Sequence, residues 1–193
     1  FSVAEVAKNG YTASYTATGS TAPSATEGRV TIAADSDVTV AVTNTYSPAA
    51  VTFQLKGSKQ LVTSLPLQNT VFGFAAYGCD ENGGNPNSQD LLTGEVTVSA
   101  ASKNAQIAFS PKVFSTVGTY YYLISEIDGG VTGIDYADNQ YLLAVEVTDN
   151  GTGALQASAT LKQRANANSS FGQAAAYTDS GVSFQNVYAP LET

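Results

Sequence analysis

The chain reads "SGVSFQNVYAP" over residues 180–190 and "VTVAVTNTYSP" over 38–48, two segments that share the ending Asn-x-Tyr-x-Pro. Val182, Phe184, Asn186 and Tyr188 fall at every second position, and so do Val38, Val40, Val42, Asn44 and Tyr46. Successive strand side chains point to opposite faces, so apolar residues at a period of two predict a strand with one buried side. Each asparagine is in phase with the apolar side and is expected to point into a core. A buried carboxamide is costly unless its donors and acceptors find partners. Both segments therefore predict strands that end in a polar group needing company.

Outward from these two, the chain reads as strands joined by turns. Residues 1–7, 11–18, 28–34 and 37–46 make a first group, and "SPAA" (47–50) suits a short linker. A longer group follows at 50–62, 70–78, 94–101, 105–110, 118–127, 140–149, 153–162 and 182–188. Gly, Asn, Asp and Pro cluster between them, as in "CDENGGNPN" and "TDNGTG", which is turn chemistry. "SQDLLTG" (88–94) reads as one helical turn at most. Many short alternating strands predict an all-β protein of immunoglobulin-like β-sandwich domains in tandem. Residues 49–193 read as a complete domain. Residues 1–48 are too few to bury a core and open in mid-strand at Phe1, so they read as the C-terminal part of a preceding, incomplete sandwich.

Composition narrows the function. The 193 residues carry a net charge of −8, which disfavours nucleic acid or an anionic membrane surface as partner. No apolar run is long enough to span a bilayer. There is no histidine, which removes Ser-His-Asp and Cys-His catalysis and histidine-ligated metal sites. No phosphate loop or metal-ligand cluster is visible, so neither cofactor nor metal is expected, and the chain does not read as an enzyme. Its one cysteine, Cys79, allows no intrachain disulfide. A Thr-, Ser- and Gly-rich β-protein of extracellular character must then rely on its core or on another covalent brace.

In "VTFQLKGSKQL", Val51, Phe53, Leu55, Lys59 and Leu61 share one parity, which places Lys59 inward and Lys56 outward. In "TYYYLISEI", Glu126 follows Tyr120, Tyr122 and Ile124 in phase. A lysine, a glutamate and Asn186 thus fall on core-facing positions near strand ends. One reading is structural, a buried Lys–Glu pair with an amide bonded beside it. The other is chemical. Low dielectric disfavours both charged forms, leaving a neutral amine, which is a nucleophile, and a protonated acid. That acid could donate to the Asn186 carboxamide oxygen and shuttle protons as ammonia leaves, making a Lys–Asn isopeptide bond.

The segments "LKGSKQL" (55–61), "VFGFAAY" (71–77), "GTYYYLISE" (118–126), "IDYADNQYLLAVEVTDNGTGAL" (134–155) and "FQNVYAP" (184–190) resemble, in order, the isopeptide-linker domains of Gram-positive, streptococcal-type backbone pilins. The resemblance implies Lys59 as nucleophile, Glu126 as the acid promoting the bond and Asn186 as acceptor. "FSVAE" mirrors "YYLISE", which makes Glu5 and Asn44 the equivalent acid and acceptor of the first group. No inward lysine is available in 1–48, because Lys8 precedes Asn-Gly in a turn, so strands from another segment would have to supply one.

The resemblance further implies a structural subunit or stalk of a pilus or cell-wall-anchored surface protein, extracellular, with neighbouring pilin subunits or stalk domains, sortase and the cell wall as partners. The competing reading is an adhesin binding a host glycan or protein through "RANANSSFGQAAAYTDSG" (164–181), the longest poorly patterned stretch. Smaller features read more plainly. Cys79 is a turn cysteine before it is a thioester or intermolecular thiol. Asp80, Asn82, Asn85, Asp149 and Asn150 are hairpin-turn residues before they are calcium ligands. "PLET" (190–193) only partly matches a sortase signal, and Lys103, Lys112 and Lys162 are all open as the lysine joining one subunit to the next.

Overall fold

A computed structural model describes residues 1–19 and 30–189, and these form fourteen β-strands with no helix. The chain divides into two compact units, Phe1–Val51 with Thr148–Gln156, and Thr52–Val147 with Ala157–Thr193.

The larger unit is a β-sandwich. The strands that run through it are β4 (Lys56–Val62), β5 (Thr70–Cys79), β6 (Asn87–Val98), β7 (Asn104–Ala108), β9 (Gly118–Ile127), β10 (Ile134–Asp135), β11 (Gln140–Asp149), β12 (Leu155–Arg164), β13 (Ala175–Ala176) and β14 (Ser183–Tyr188), the last two residues of β11 and the first two of β12 falling in the smaller unit. One sheet has the order β13-β12-β11-β9-β5-β6 and the other β10-β14-β4-β7; short β3 (Val51–Phe53) and β8 (Lys112–Phe114) pair beside them. The period of two does the sorting. Tyr122 and Ile124 on β9, Leu143 and Val145 on β11, Phe72 and Phe74 on β5, Leu61 on β4 and Phe184 on β14 are all buried. Rings from the two sheets meet in the middle, with Phe74 and Phe184 centroids 5.1 Å apart and Tyr141 edge-on to Phe184 at 5.6 Å. Offset and edge-to-face pairs add to what area burial alone contributes.

β4 and β14, the first and last long strands of this sandwich, lie side by side and parallel, with Phe184 opposite Lys59 and Asn186 opposite Leu61. Gly57 lets them approach. A Cβ there would sit 3.0 Å from the Val182 carbonyl oxygen and 3.1 Å from its Cγ1. Gly57→Val is therefore expected to destabilise the fold by about 1–3 kcal/mol through overpacking, read as a lowered urea midpoint with an unchanged slope.

Several expectations need correction. The stretch 50–62 is interrupted at Gln54–Leu55 and continues as β4, where Gln54 Nε2 donates instead to the main-chain oxygens of Leu55 and Phe109. Residues 88–94 are no helical turn. They belong to β6, because β5 offers them a ladder, Leu91 opposite Tyr77, with a register shift at Tyr77/Gly78. The stretch 164–181 is not featureless: β13 pairs with β12, Arg164 stacks 4.4 Å from the Phe171 ring, and the Gly172 N–H bonds the Gln163 carbonyl.

In the smaller unit, β1 (Tyr11–Thr18) and β2 (Thr39–Tyr46) form an antiparallel ribbon, Tyr11 opposite Tyr46. Residues 1–7 do not form the expected strand beyond a single bridge position at Ser2; Phe1 exchanges bonds with Val30, and the Glu5 N–H donates to the Tyr15 hydroxyl instead. Of the expected strand 28–34, residues 30–34 are irregular, and 28 and 29 lie outside the described residues, as do Pro190 and the rest of "PLET". The Tyr46 hydroxyl donates to Asp149 at 2.7 Å, which ties the ribbon to the 148–156 hairpin of the same unit.

Candidate functional site

Two polar residues are fully buried among the described residues, Lys59 at 1% exposure and Asn186 at 0%. Both occupy core-facing positions of the parallel pair β4 and β14, in phase with Leu61 and Phe184. Glu126 reaches them from β9 in the opposite sheet, and its side chain is 1% exposed. One of its oxygens, Oε1, accepts from Lys59 Nζ at 2.5 Å and from Asn186 Nδ2 at 3.0 Å. The ammonium and the carboxamide thus converge on a single carboxylate oxygen.

The remaining valences are filled by main chain. The Ala137 N–H, between β10 and β11, donates to Glu126 Oε2 and to Asn186 Oδ1, each at 3.0 Å. Lys59 Nζ also lies 4.5 Å from the Phe72 ring centroid and 5.9 Å from that of Phe74. Burial pulls the Lys59 pKa down to about 8, even though hydrogen bonding and charge attraction from Glu126 act to raise it. Near neutrality this amine lies within reach of its deprotonated, nucleophilic form.

The structure redistributes the contacts expected around Asn186. Its oxygen faces the Ala137 N–H, and Glu126 faces its nitrogen. The Ala137 amide was beyond reach of side-chain patterning, because any residue but proline carries the same N–H. Phe72 and Phe74, by contrast, were visible as an apolar pair within "VFGFAAY".

The second expected set is only partly assembled. Asn44 Nδ2 donates to Glu5 Oε1 at 2.7 Å, so the acid and the amide do meet. Asn44 is exposed and does not point into a core. Strand parity alone buries nothing: the ribbon has two strands, and Val42 and Tyr46 on the same face are 39% and 38% exposed.

Other candidates resolve as local structure. Asp80 accepts from the N–H groups of Asn82 and Gly84 and from Asn85 Nδ2, and Asp149 accepts from the Gly151 N–H; both are turn arrangements. Cys79 is half-buried, and burial pushes its thiol up to about 11, away from the thiolate that covalent chemistry needs. Lys112 pairs with Asp90 at 2.6 Å, and Lys103 donates to the Thr63 carbonyl.

The larger unit is thus an all-β sandwich that seals a lysine, an acid and an amide into its core. The family model described as the Spy0128-like isopeptide containing domain matches residues 55–189, and the chain belongs to that family. The fold is similar to that of the T-13 major pilin of Streptococcus pyogenes, at 20% identity over 74% of this chain and 55% of that one with a TM-score of 0.46. The T3.2 major pilin of the same species matches at 20% identity over 70% and 52% with a TM-score of 0.46. A third S. pyogenes major pilin matches at 21% identity over 71% and 50%, TM-score 0.44. The chain spans about half the length of these pilins. No curated protein matches it.

Proposed function

We propose that Lys59 and Asn186 become joined by an isopeptide bond that the folded sandwich makes itself, with Glu126 carrying the protons, and that the chain serves as a structural subunit or stalk of a Gram-positive pilus or cell-wall-anchored surface protein. The observation that carries this reading is the shared oxygen: Glu126 Oε1 touches both the amine that would attack and the nitrogen that would leave. Membership of an isopeptide-containing domain family supports it.

The chemistry balances without a co-reactant. Lys59 passes a proton to Glu126, and the neutral amine attacks Cγ of Asn186. Glu126 then protonates Nδ2, the Cγ–Nδ2 bond breaks, and ammonia leaves. The new amide nitrogen releases its extra proton to the Glu126 carboxylate, and ammonia carries that proton off as ammonium. A positioned proton carrier of this kind is worth about 10²–10⁴-fold in rate. The set acts once, on itself, without turnover.

The product ties the first long strand of the sandwich to its last, so tension on the chain ends cannot peel the sheets apart. Such a module suits an extracellular stalk built from neighbouring subunits and attached to the cell wall by sortase. Residues 1–48 would then belong to a related sandwich, with Glu5 as acid and Asn44 as acceptor, completed by a lysine-bearing strand beside β2.

The intact mass of the purified chain tests the reading. It is expected to fall short of the sequence mass by one ammonia, with fragment spectra joining the Lys59 and Asn186 peptides. A deficit of two ammonias would mean that Asn44 has also found a lysine. A wild-type chain at full mass would reduce Lys59, Glu126 and Asn186 to a buried ion pair with an attached amide.

A further inference from the structure

The charge that would build on Asn186 as the amine attacks would fall on Oδ1, and that oxygen faces a group that can only donate. The Ala137 main-chain N–H lies 3.0 Å from Asn186 Oδ1 and 3.0 Å from Glu126 Oε2. Because an amide N–H has no acceptor lone pair to offer, it fixes the orientation of the carboxamide: oxygen toward Ala137, nitrogen toward Glu126 Oε1. The two halves of the carboxamide are therefore served by different groups.

We propose that the Ala137 N–H is the oxyanion donor of the crosslinking step, an inference that rests on the isopeptide reading above. When Lys59 Nζ bonds to Cγ, the carbonyl π pair moves onto Oδ1, and the N–H···Oδ1 hydrogen bond becomes a charge-assisted one in a site closed to water. When the Cγ–Nδ2 bond breaks, that pair returns to re-form the carbonyl, and Glu126 supplies the proton that ammonia takes. The carboxylic acid is then not asked to polarise the oxygen and protonate the nitrogen of the same small group at once.

An oxyanion donor works only if it is held still, and the segment around Ala137 is fastened on both sides. The Tyr136 ring packs on Phe72 at 5.8 Å between centroids, and its hydroxyl accepts from the Val131 N–H at 3.4 Å. Beyond Ala137, Asn139 Nδ2 donates to the Ser183 carbonyl at 3.1 Å. The Tyr141 hydroxyl donates to that carbonyl at 2.7 Å and accepts from the Ser183 N–H at 3.0 Å. Ser183 begins β14, the strand that carries Asn186. On its Asn139–Tyr141 side the donor is thus braced against the strand that carries its acceptor, and on its Tyr136 side against β5.

The test replaces one N–H, shared by Asn186 Oδ1 and Glu126 Oε2, with an ester oxygen and leaves every side chain in place. The full chain is assembled by peptide ligation in denaturant with L-lactic acid in place of Ala137, which turns that amide into an ester and keeps the methyl group. On dilution into folding buffer, ammonia loss is followed by mass and folding by circular dichroism. The ester chain is expected to fold and to crosslink more slowly by a factor on the order of 10²–10³, the usual effect of removing one oxyanion donor. An ester chain that crosslinks at the wild-type rate overturns this inference and leaves the isopeptide reading standing. A wild-type chain that never loses ammonia overturns both. Should the ester chain not fold, a Lys59→Met chain, which cannot react, decides the matter by NMR. There the Ala137 amide proton is expected to be protected from exchange and to shift when Asn186→Ala is added. An amide exchanging like an unprotected loop, or unmoved by Asn186→Ala, overturns the inference.

Discussion

Glu126→Ala is expected to yield a chain at its full sequence mass that melts roughly 10–20 °C below the wild type. The drop follows from the missing crosslink. Closing a loop from Lys59 to Asn186 contributes about 5 kcal/mol when the chain-entropy estimate for disulfides is carried over to an amide, and for a chain of this size each kcal/mol is worth about 2–4 °C. A second loss comes from the site itself: Lys59 keeps no carboxylate, and Asn186 Nδ2 loses its acceptor. Stranding a buried charge costs about 3–5 kcal/mol when it cannot escape. Lys59 can escape in part by shedding its proton, because burial already brings its pKa to about 8. The crosslink is thus the larger share. A Lys59→Met, Glu126→Leu double variant separates the two, since it cannot form the bond yet buries no charge. It is expected to melt above Glu126→Ala and below the wild type, with thermal unfolding and intact mass read on the same samples. A Glu126→Ala chain that still lacks one ammonia would show that the carboxylate is dispensable and would sink the proton-carrier role.

The geometry around Glu126 was largely legible because it rests on strand parity, the firmest periodic signal a β-protein carries. β4, β9 and β14 each run long enough against a filled core that a shift by one residue would expose Leu61, Ile124 and Phe184 together. Lys59, Glu126 and Asn186 follow their apolar neighbours inward. The same reasoning failed at Asn44, where β2 has the right alternation but, among the described residues of its unit, pairs only with β1. It failed again at residues 1–7, where the alternating pattern gives, among the described residues, one bridge position at Ser2 and a bonded pair between Phe1 and Val30. What lies inside a sandwich is set by packing between sheets, and sequence periodicity reports only which residues are eligible. The Ala137 N–H, the Gln54–Leu55 interruption and the extension of β6 back to Asn87 belong to the same class. Each depends on which main-chain groups lie opposite one another, and that information resides in the register.

Crosslinking is expected to slow above pH 8, not to quicken, and the sign comes from counting protons on the pair. The step needs a neutral amine on Lys59 and a proton on Glu126 at the same moment. That state holds one proton, as many as the ammonium–carboxylate pair from which it forms, so their ratio does not change with pH. Its share is therefore level while the pair keeps its single proton. Lys59 releases that proton at about 8, below its ordinary value, because burial outweighs the pull of Glu126. Above this point the site holds an amine beside a carboxylate, a good nucleophile with nothing to protonate the departing nitrogen. The rate should then fall about tenfold per pH unit, as for any required group losing one proton. A mechanism that needed only the free amine would give the opposite profile, rising through pH 8 and then levelling. Ligated chain, kept unreacted in denaturant and diluted into buffers from pH 6 to 10, separates the two by mass against time. Tyrosine fluorescence on the same samples ensures that folding is complete before ammonia is lost. A rate that climbs through pH 8 would remove Glu126 as the acid and leave it as an anchor for the lysine; a rate that falls would place the last proton of the pair in the bond-breaking step.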